Sequence, residues 1–464
     1  MSQLRTLSVI LLCFVIIKVC SGREGCFRRD GPVCKAATKT PYRCVAPEGG
    51  RWKLPDREEL PVGCEAKKVW LLARHGTRYP SEKGILHMTR RLPEIASGLR
   101  KSGALCDHVI DDIRAWDHGL VGVEQDKMLH PEGEAEMMGI AERFQARFPD
   151  FFRSKNGSEF RFRSTSTERA VRSRFFFAAG LFGRDVVAKS ASSMFEPTIR
   201  PHDPILRFYK LCSRWLSEVK KNKAALIEVS KFQESEVFQK MREVVTARIG
   251  LTELISLDDL EAVYVGCVFG QAWNPDKTSP WCNVLADEEL SVMEYREDLE
   301  AYWQDGYGHE INYEQACVMF GDVVRSLEEG ESGISGVFSF SHSGAVLKFS
   351  SFLGLFRDGE EPLRHDGFLG SSNRSYRTTH NDAFATNVAF VKADCEGGSG
   401  SKVGLFFNER LIPIPGCPDE GDPWCDYEVF KEAFRDRAEE CDFDAICDAD
   451  AAISEEPVDD EDKF

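Results

Sequence analysis

A chain of 464 residues with 42% hydrophobic content is long enough to bury a substantial core, and its length suggests two or three domains. Its formal charge of −17 argues against nucleic acid as a partner. No stretch reaches the roughly 20 apolar residues that a membrane-spanning helix needs.

The chain opens with a basic Arg5, an apolar run from Leu7 to Val19, and small residues at Ser21-Gly22. This pattern predicts a secretory signal peptide over residues 1–22. Its removal takes away Arg5 and Lys18 and no acid, which moves the formal charge to −19. Of 16 cysteines, Cys13 and Cys20 would leave with it, and the even remainder fits disulfides in an oxidising compartment. Zinc is the competing reading, but even Cys441 and Cys447 are spaced too widely for a paired zinc motif. Asn156-Gly157-Ser158 and Asn373-Arg374-Ser375 are sequons expected on surface loops. The acidic run from Glu455 to Asp462 reads as a disordered tail over 448–464, with neither a retention signal nor an apolar anchor. The expectation is a secreted protein.

Lys67–Ala73 reads as a short buried strand that ends where the polar Arg74-His75-Gly76 begins. A second strand is expected over Phe160–Thr165, followed by a helix from Glu168 to Phe182. Gly336–Ser341 is a third, followed by an apolar helix over about Ala345–Leu355. Strand then helix, repeated, predicts an α/β sheet that is at least partly parallel. Asn387–Val391 and Val403–Phe407 read as late strands paired in a hairpin. Between the second and third strands, Phe208–Ile249, Leu285–Tyr302 and Tyr313–Leu327 show helical spacing. The predicted division is an N-terminal core part (23–190), an inserted helical cap (191–330) and a C-terminal core part (331–447).

Ligands of open parallel sheets lie at the carboxyl ends of the strands. The first such end carries Arg74-His75-Gly76-Thr77-Arg78-Tyr79-Pro80. Paired guanidinium forks suit the charge and oxygens of a phosphate ester, and nearby cations favour neutral, nucleophilic imidazole. A basic surface loop, or a histidine bonded to a strand carbonyl, is the plainer alternative for these residues taken singly. The second end carries Ser164-Thr165-Ser166-Thr167-Glu168-Arg169, where a solvated basic helix face is the alternative. At the third end, Ser339-Phe340-Ser341-His342, the alternative is a core histidine.

The string from Arg74 to Pro80 resembles the R-H-G-x-R-x-P signature of the histidine acid phosphatases. The resemblance implies a phosphoglycerate mutase-like α/β sheet core flanked by helices, with an inserted cap. It also implies His75 as the phosphorylated nucleophile, Arg74, Arg78 and Arg169 as phosphate ligands, and His342 as a second active-site histidine. Asn274–Cys282, Glu294–Leu299, Gly306-Tyr307-Gly308, Ala385-Thr386-Asn387 and Asn408–Pro413 are similar to the multiple inositol polyphosphate phosphatases. That branch implies small anionic substrates of the phytate type, with 2,3-bisphosphoglycerate as a further candidate, and no metal or other cofactor.

One departure stands out. The family follows its second histidine with Ala-Glu or with Asp, the proton donor to the leaving oxygen, whereas here Ser343-Gly344 follows His342. General acid catalysis contributes about 10²–10⁴-fold. Three readings stay open: a positioned water or a substitute acid such as Asp366, Asp382 or Glu168, an ester whose leaving group needs little help, or a phosphate-ligand binder with weak turnover.

Overall fold

The computed structural model describes residues 26–47, 60–155, 157–328, 333–396, 400–418, 422–439 and 441–448. The predicted signal peptide, Asn156 of the first sequon, residues 397–399 and the acidic tail past Asp448 lie outside these residues.

Seven strands among the described residues form one mixed sheet: β1 (Cys64–Arg74), β2 (Phe160–Ser164), β3 (Gly336–Ser341), β4 (Asn387–Cys395), β5 (Ser401–Phe407), β6 (Arg410–Ile412) and β7 (Cys425–Asp426). The order is β2-β3-β1-β4-β5-β6, with β7 also on β5. β1 and β2 both run parallel to β3, while β4 is antiparallel to β1 and forms the expected hairpin with β5. β1 starts with alternating exposure and ends in an unbroken buried run from Val69 to Arg74, as suits a strand covered on both faces.

Side chains on β1 alternate between two layers. Val69, Leu71 and Ala73 pack with Phe160, Phe162 and Phe338 against α1 (Pro131–Arg147) and α2 (Glu168–Phe182). Trp70 and Leu72 face the opposite layer, built from Phe208, Trp215 and three helices. These are α5 (Cys317–Leu327), α6 (Ser343–Phe352) and Tyr427–Ala433. A separate helical body packs residues 88–116 with Phe232–Ile249, α3 (Leu257–Trp273) and α4 (Asp287–Asp305). The predicted cap segment is therefore shared: its middle joins this body, while residues 206–220 and 311–327 pack on the sheet.

The helix after β2 has the predicted limits and ends at Gly183, whose φ of 84° suits a residue without Cβ. The helix after β3 starts two residues earlier than expected, at Ser343. Phe208–Ile249 is not one run. Ser235, extended at ψ 154°, ends one helix and caps the next by accepting from Phe238 N–H.

All 14 described cysteines are paired: Cys26–Cys106, Cys34–Cys44, Cys64–Cys395, Cys212–Cys447, Cys267–Cys282, Cys317–Cys441 and Cys417–Cys425. Cys64–Cys395 joins the first residue of β1 to the last of β4, which face each other in the ladder. Among the described residues no group of three or more His, Cys, Asp or Glu is arranged to hold a metal ion. No helix among them is long and apolar enough to cross a membrane.

Candidate active site

Strand register brings the three predicted junctions together. Arg74 pairs with Ser341 and Ser164 with Phe340, so three parallel strands end side by side. His75 N–H donates to the Ser341 carbonyl at 3.0 Å, and Thr165 N–H donates to the Phe340 carbonyl at 3.1 Å. β4 runs back from the same edge, because Asn387 pairs with Ala73. The segment just before β4, which contains Asp382 and Phe384, thus joins the site from the other side.

His75 lies at the centre and is 1% exposed. Its Nδ1 is 2.9 Å from the Gly76 carbonyl oxygen. In the tautomer that donates this bond, Nε2 keeps its lone pair. Burial, reinforced by Arg169, Arg74, His342 and Arg78, holds the imidazole well below its ordinary pKa of 6.5 and so in the neutral form. The His342 ring meets it edge to face with centroids 5.7 Å apart. His342 Nε2 is 3.0 Å from Thr165 Oγ1, and Arg169 Nη2 is 3.4 Å from its Nδ1. Each of the five residues expected from the sequence, His75, His342, Arg74, Arg78 and Arg169, is buried here.

Aromatic and carbonyl groups hold the guanidinium groups. Arg74 sits 4.8 Å over the Phe384 ring and donates to the Thr38 carbonyl at 2.6 Å. Arg78 sits 5.7 Å over Phe269 and donates to the Tyr79 carbonyl at 2.8 Å. Trp273 of α3 donates from Nε1 to the Arg78 carbonyl at 3.0 Å, which ties the helical body to the signature loop.

The loop itself is held from below. A Cβ on Gly76 would lie 2.5 Å from the Gly133 carbonyl oxygen, so the loop meets the start of α1 only because this residue is glycine. Glu136 accepts from Thr77 N–H at 2.7 Å, Thr77 Oγ1 at 2.9 Å and Tyr42 N–H at 3.1 Å. Burial pushes its carboxyl up to about 7. Glu136, Phe269, Trp273 and Phe384 were not expected from the sequence. The one local signal was at Glu136, a carboxylate beside Met137 and three or four residues ahead of Gly139 and Ile140.

The proton-donor position is as the sequence indicated: Ser343 and Gly344 open α6 and carry no carboxyl. Among the candidate substitutes, Asp366 is exposed and paired with Arg364. Glu168 accepts from Leu129 N–H and pairs with Arg172. Asp382 alone of the three is fully buried at the site, where it accepts a hydrogen bond from Ser343 Oγ and lies 3.5 Å from Arg74 Nη1.

The sequence pattern of the histidine phosphatase superfamily (branch 2) matches residues 65–408. The chain belongs to this superfamily. It is similar to multiple inositol polyphosphate phosphatase 1 of Drosophila melanogaster, at 28% identity over 430 residues that cover 89% of this chain and 88% of the relative. The human protein of the same name is 28% identical over 440 residues, again covering 89% and 88%. The crystal structure of a Bifidobacterium longum multiple inositol polyphosphate phosphatase in complex with inositol hexasulfate superposes with a TM-score of 0.66 at 16% identity. That match covers 84% of this chain and 96% of the bacterial one, and it shows a shared histidine phosphatase fold.

Proposed function

We propose that this chain is a phosphoric monoester hydrolase that removes phosphate from inositol polyphosphates such as phytate through a phosphohistidine at His75. One observation carries the reading: a buried, neutral imidazole whose Nδ1 is tied to the Gly76 carbonyl, surrounded by Arg74, Arg78 and Arg169. In the first step Nε2 attacks phosphorus, and in the second water releases inorganic phosphate. The three arginines and His342 stabilise the charge on the transferring group, which is usually the largest catalytic contribution. Backbone N–H groups in the first turn of α6 add donors on the same side. 2,3-Bisphosphoglycerate, a smaller ester with clustered anionic groups, suits the same pocket. The seven disulfides and the exposed Asn373 of a sequon support secretion and glycosylation.

A second reading, binding of phosphorylated ligands with weak turnover, is favoured by the missing acid at Ser343-Gly344 alone. Phosphate release from phytate by the purified chain between pH 4 and 8, set beside equilibrium binding of the same ligand, separates the two. Tight binding without release would overturn hydrolysis.

A further inference from the structure

Resting on the phosphatase reading, we propose that Asp382 and Ser343 together replace the missing proton donor, with the Ser343 hydroxyl relaying a proton between the buried carboxyl and the leaving oxygen.

Three elements that are remote in sequence build this pair. Ser343 is the first residue of α6, directly after His342, and it is only partly buried where Asp382 is 0% exposed. Asp382 precedes β4 and is placed by the antiparallel pairing of Asn387 with Ala73. Its Oδ2 accepts from Ser343 Oγ, and its Oδ1 lies 3.5 Å from Nη1 of Arg74 in the signature loop. Of the two bonded groups, the Ser343 hydroxyl is the more exposed, and it is the one that adjoins His342 in the chain.

The competing acid is Asp305. A Cβ on Gly344, where the family's glutamate would branch, would lie 3.3 Å from Asp305 Oδ1. Yet Asp305 is paired at 2.5 Å with Lys348, whose side chain is 0% exposed, so this carboxyl is already engaged by a fixed internal cation outside the phosphate pocket. The cation beside Asp382 is different in kind. Arg74 belongs to the phosphate pocket, where a bound phosphoryl group competes with Asp382 for its charge.

The proton balance closes over the two steps. The first step starts from the carboxylic acid of Asp382, whose O–H donates to Ser343 Oγ and leaves the serine proton for the ester. As His75 Nε2 forms its bond to phosphorus and the P–O bond to the inositol breaks, the departing oxygen takes the Ser343 proton, and Ser343 takes one from Asp382. In the second step the attacking water forms the new P–O bond, the N–P bond breaks, and the proton lost by water returns through Ser343 to the Asp382 carboxylate. The net change is ester plus water to alcohol plus phosphate.

The test uses the full chain and two substrates, inositol hexakisphosphate, whose alkoxide needs a proton to leave, and p-nitrophenyl phosphate, whose phenolate does not. Ser343→Ala and Asp382→Asn are each expected to lower turnover of inositol hexakisphosphate by about 10²-fold. The ratio of the two activities should shift by at least about tenfold toward the activated ester. The double variant should be about as slow as either single one, because the groups act as a unit. Ser343→Thr, which keeps a hydroxyl, should stay within about threefold of wild type.

A pair that only positioned Arg74 would slow both substrates alike, so an unchanged ratio in Ser343→Ala overturns the relay. If Asp382→Asn fails to fold for want of the Arg74 partner, the alanine and threonine variants of Ser343 decide alone. A wild-type chain that releases phosphate from neither ester overturns the phosphatase reading and the relay with it. A working wild type with an unchanged ratio in the variant overturns the relay only.

Discussion

His75 and His342 meet edge to face with their ring centroids 5.7 Å apart, each one residue past the carboxyl end of a neighbouring parallel strand. His75 N–H donates to the carbonyl of Ser341, the residue that delivers His342, so one ladder sets both rings. The site's precision thus comes from the sheet, and its charge from arginines held on Phe269 and Phe384.

Arg78→Ala and Arg169→Ala should each weaken binding of inositol hexakisphosphate by about 10–100-fold, the worth of a charge-assisted hydrogen bond in a buried site. Asp460→Asn, in the acidic run from Glu455 to Asp462, should change affinity less than about twofold because the ligand is held by the arginines of the site. Titration calorimetry at fixed ionic strength reads both, and equal effects would place the ligand elsewhere.

The pH dependence of stability should show two opposed contributions in one window. The folded state holds His75 below its unfolded pKa, so its contribution is present above about 6.5 and is lost as pH falls below that value. Glu136 is raised to about 7, so its contribution is complete below the unfolded value near 4.5 and is lost as pH rises through about 7. Relative to wild type, His75→Asn should gain stability as pH falls below 6.5, and Glu136→Gln should gain as pH rises from 4.5 to 7. The slope for each is up to about 1.4 kcal/mol per pH unit. Denaturant unfolding at pH 5, 6 and 7 checks the two signs.

Gly344→Glu restores the spacing of the family's donor, but its Cβ enters a tight position 3.3 Å from Asp305 Oδ1 and 3.6 Å from the Tyr209 ring. With Ser343 and Asp382 already delivering the proton, the variant should raise phytate turnover by less than about tenfold. A gain of about 10²–10⁴-fold would mean that wild type lacks a donor altogether. Steady-state turnover of phytate and p-nitrophenyl phosphate measures this directly.

Much of this site was legible in the sequence because its main residues sit where apolar strands stop. Lys67–Ala73, Phe160–Thr165 and Gly336–Ser341 each end in polar residues ahead of a helix, and the three ends coincide in space. Asp382 carried no such signal. It stands in a loop between Asn381 and Ala383, and only the return of β4 beside β1 gives it Ser343 and Arg74 as neighbours. Glu136 likewise gains its role from Thr77 and Tyr42, which no periodicity links to it. Helical spacing across Phe208–Ile249 was real, but it did not show that Ser235 divides the run. Nor did it show that Phe208 and Trp215 cover the sheet while Phe238 and Val245 pack in the helical body.

The central claim, attack on phosphorus by His75, is tested most directly by rapid quench of the full chain with radiolabelled inositol hexakisphosphate, followed by mapping of the label. The account predicts an acid-labile, alkali-stable phosphoryl group on His75. It also predicts that His75→Ala forms no such adduct and loses at least about 10³-fold in turnover while still binding the ligand. Label on another residue, or wild-type turnover in His75→Ala, would contradict it.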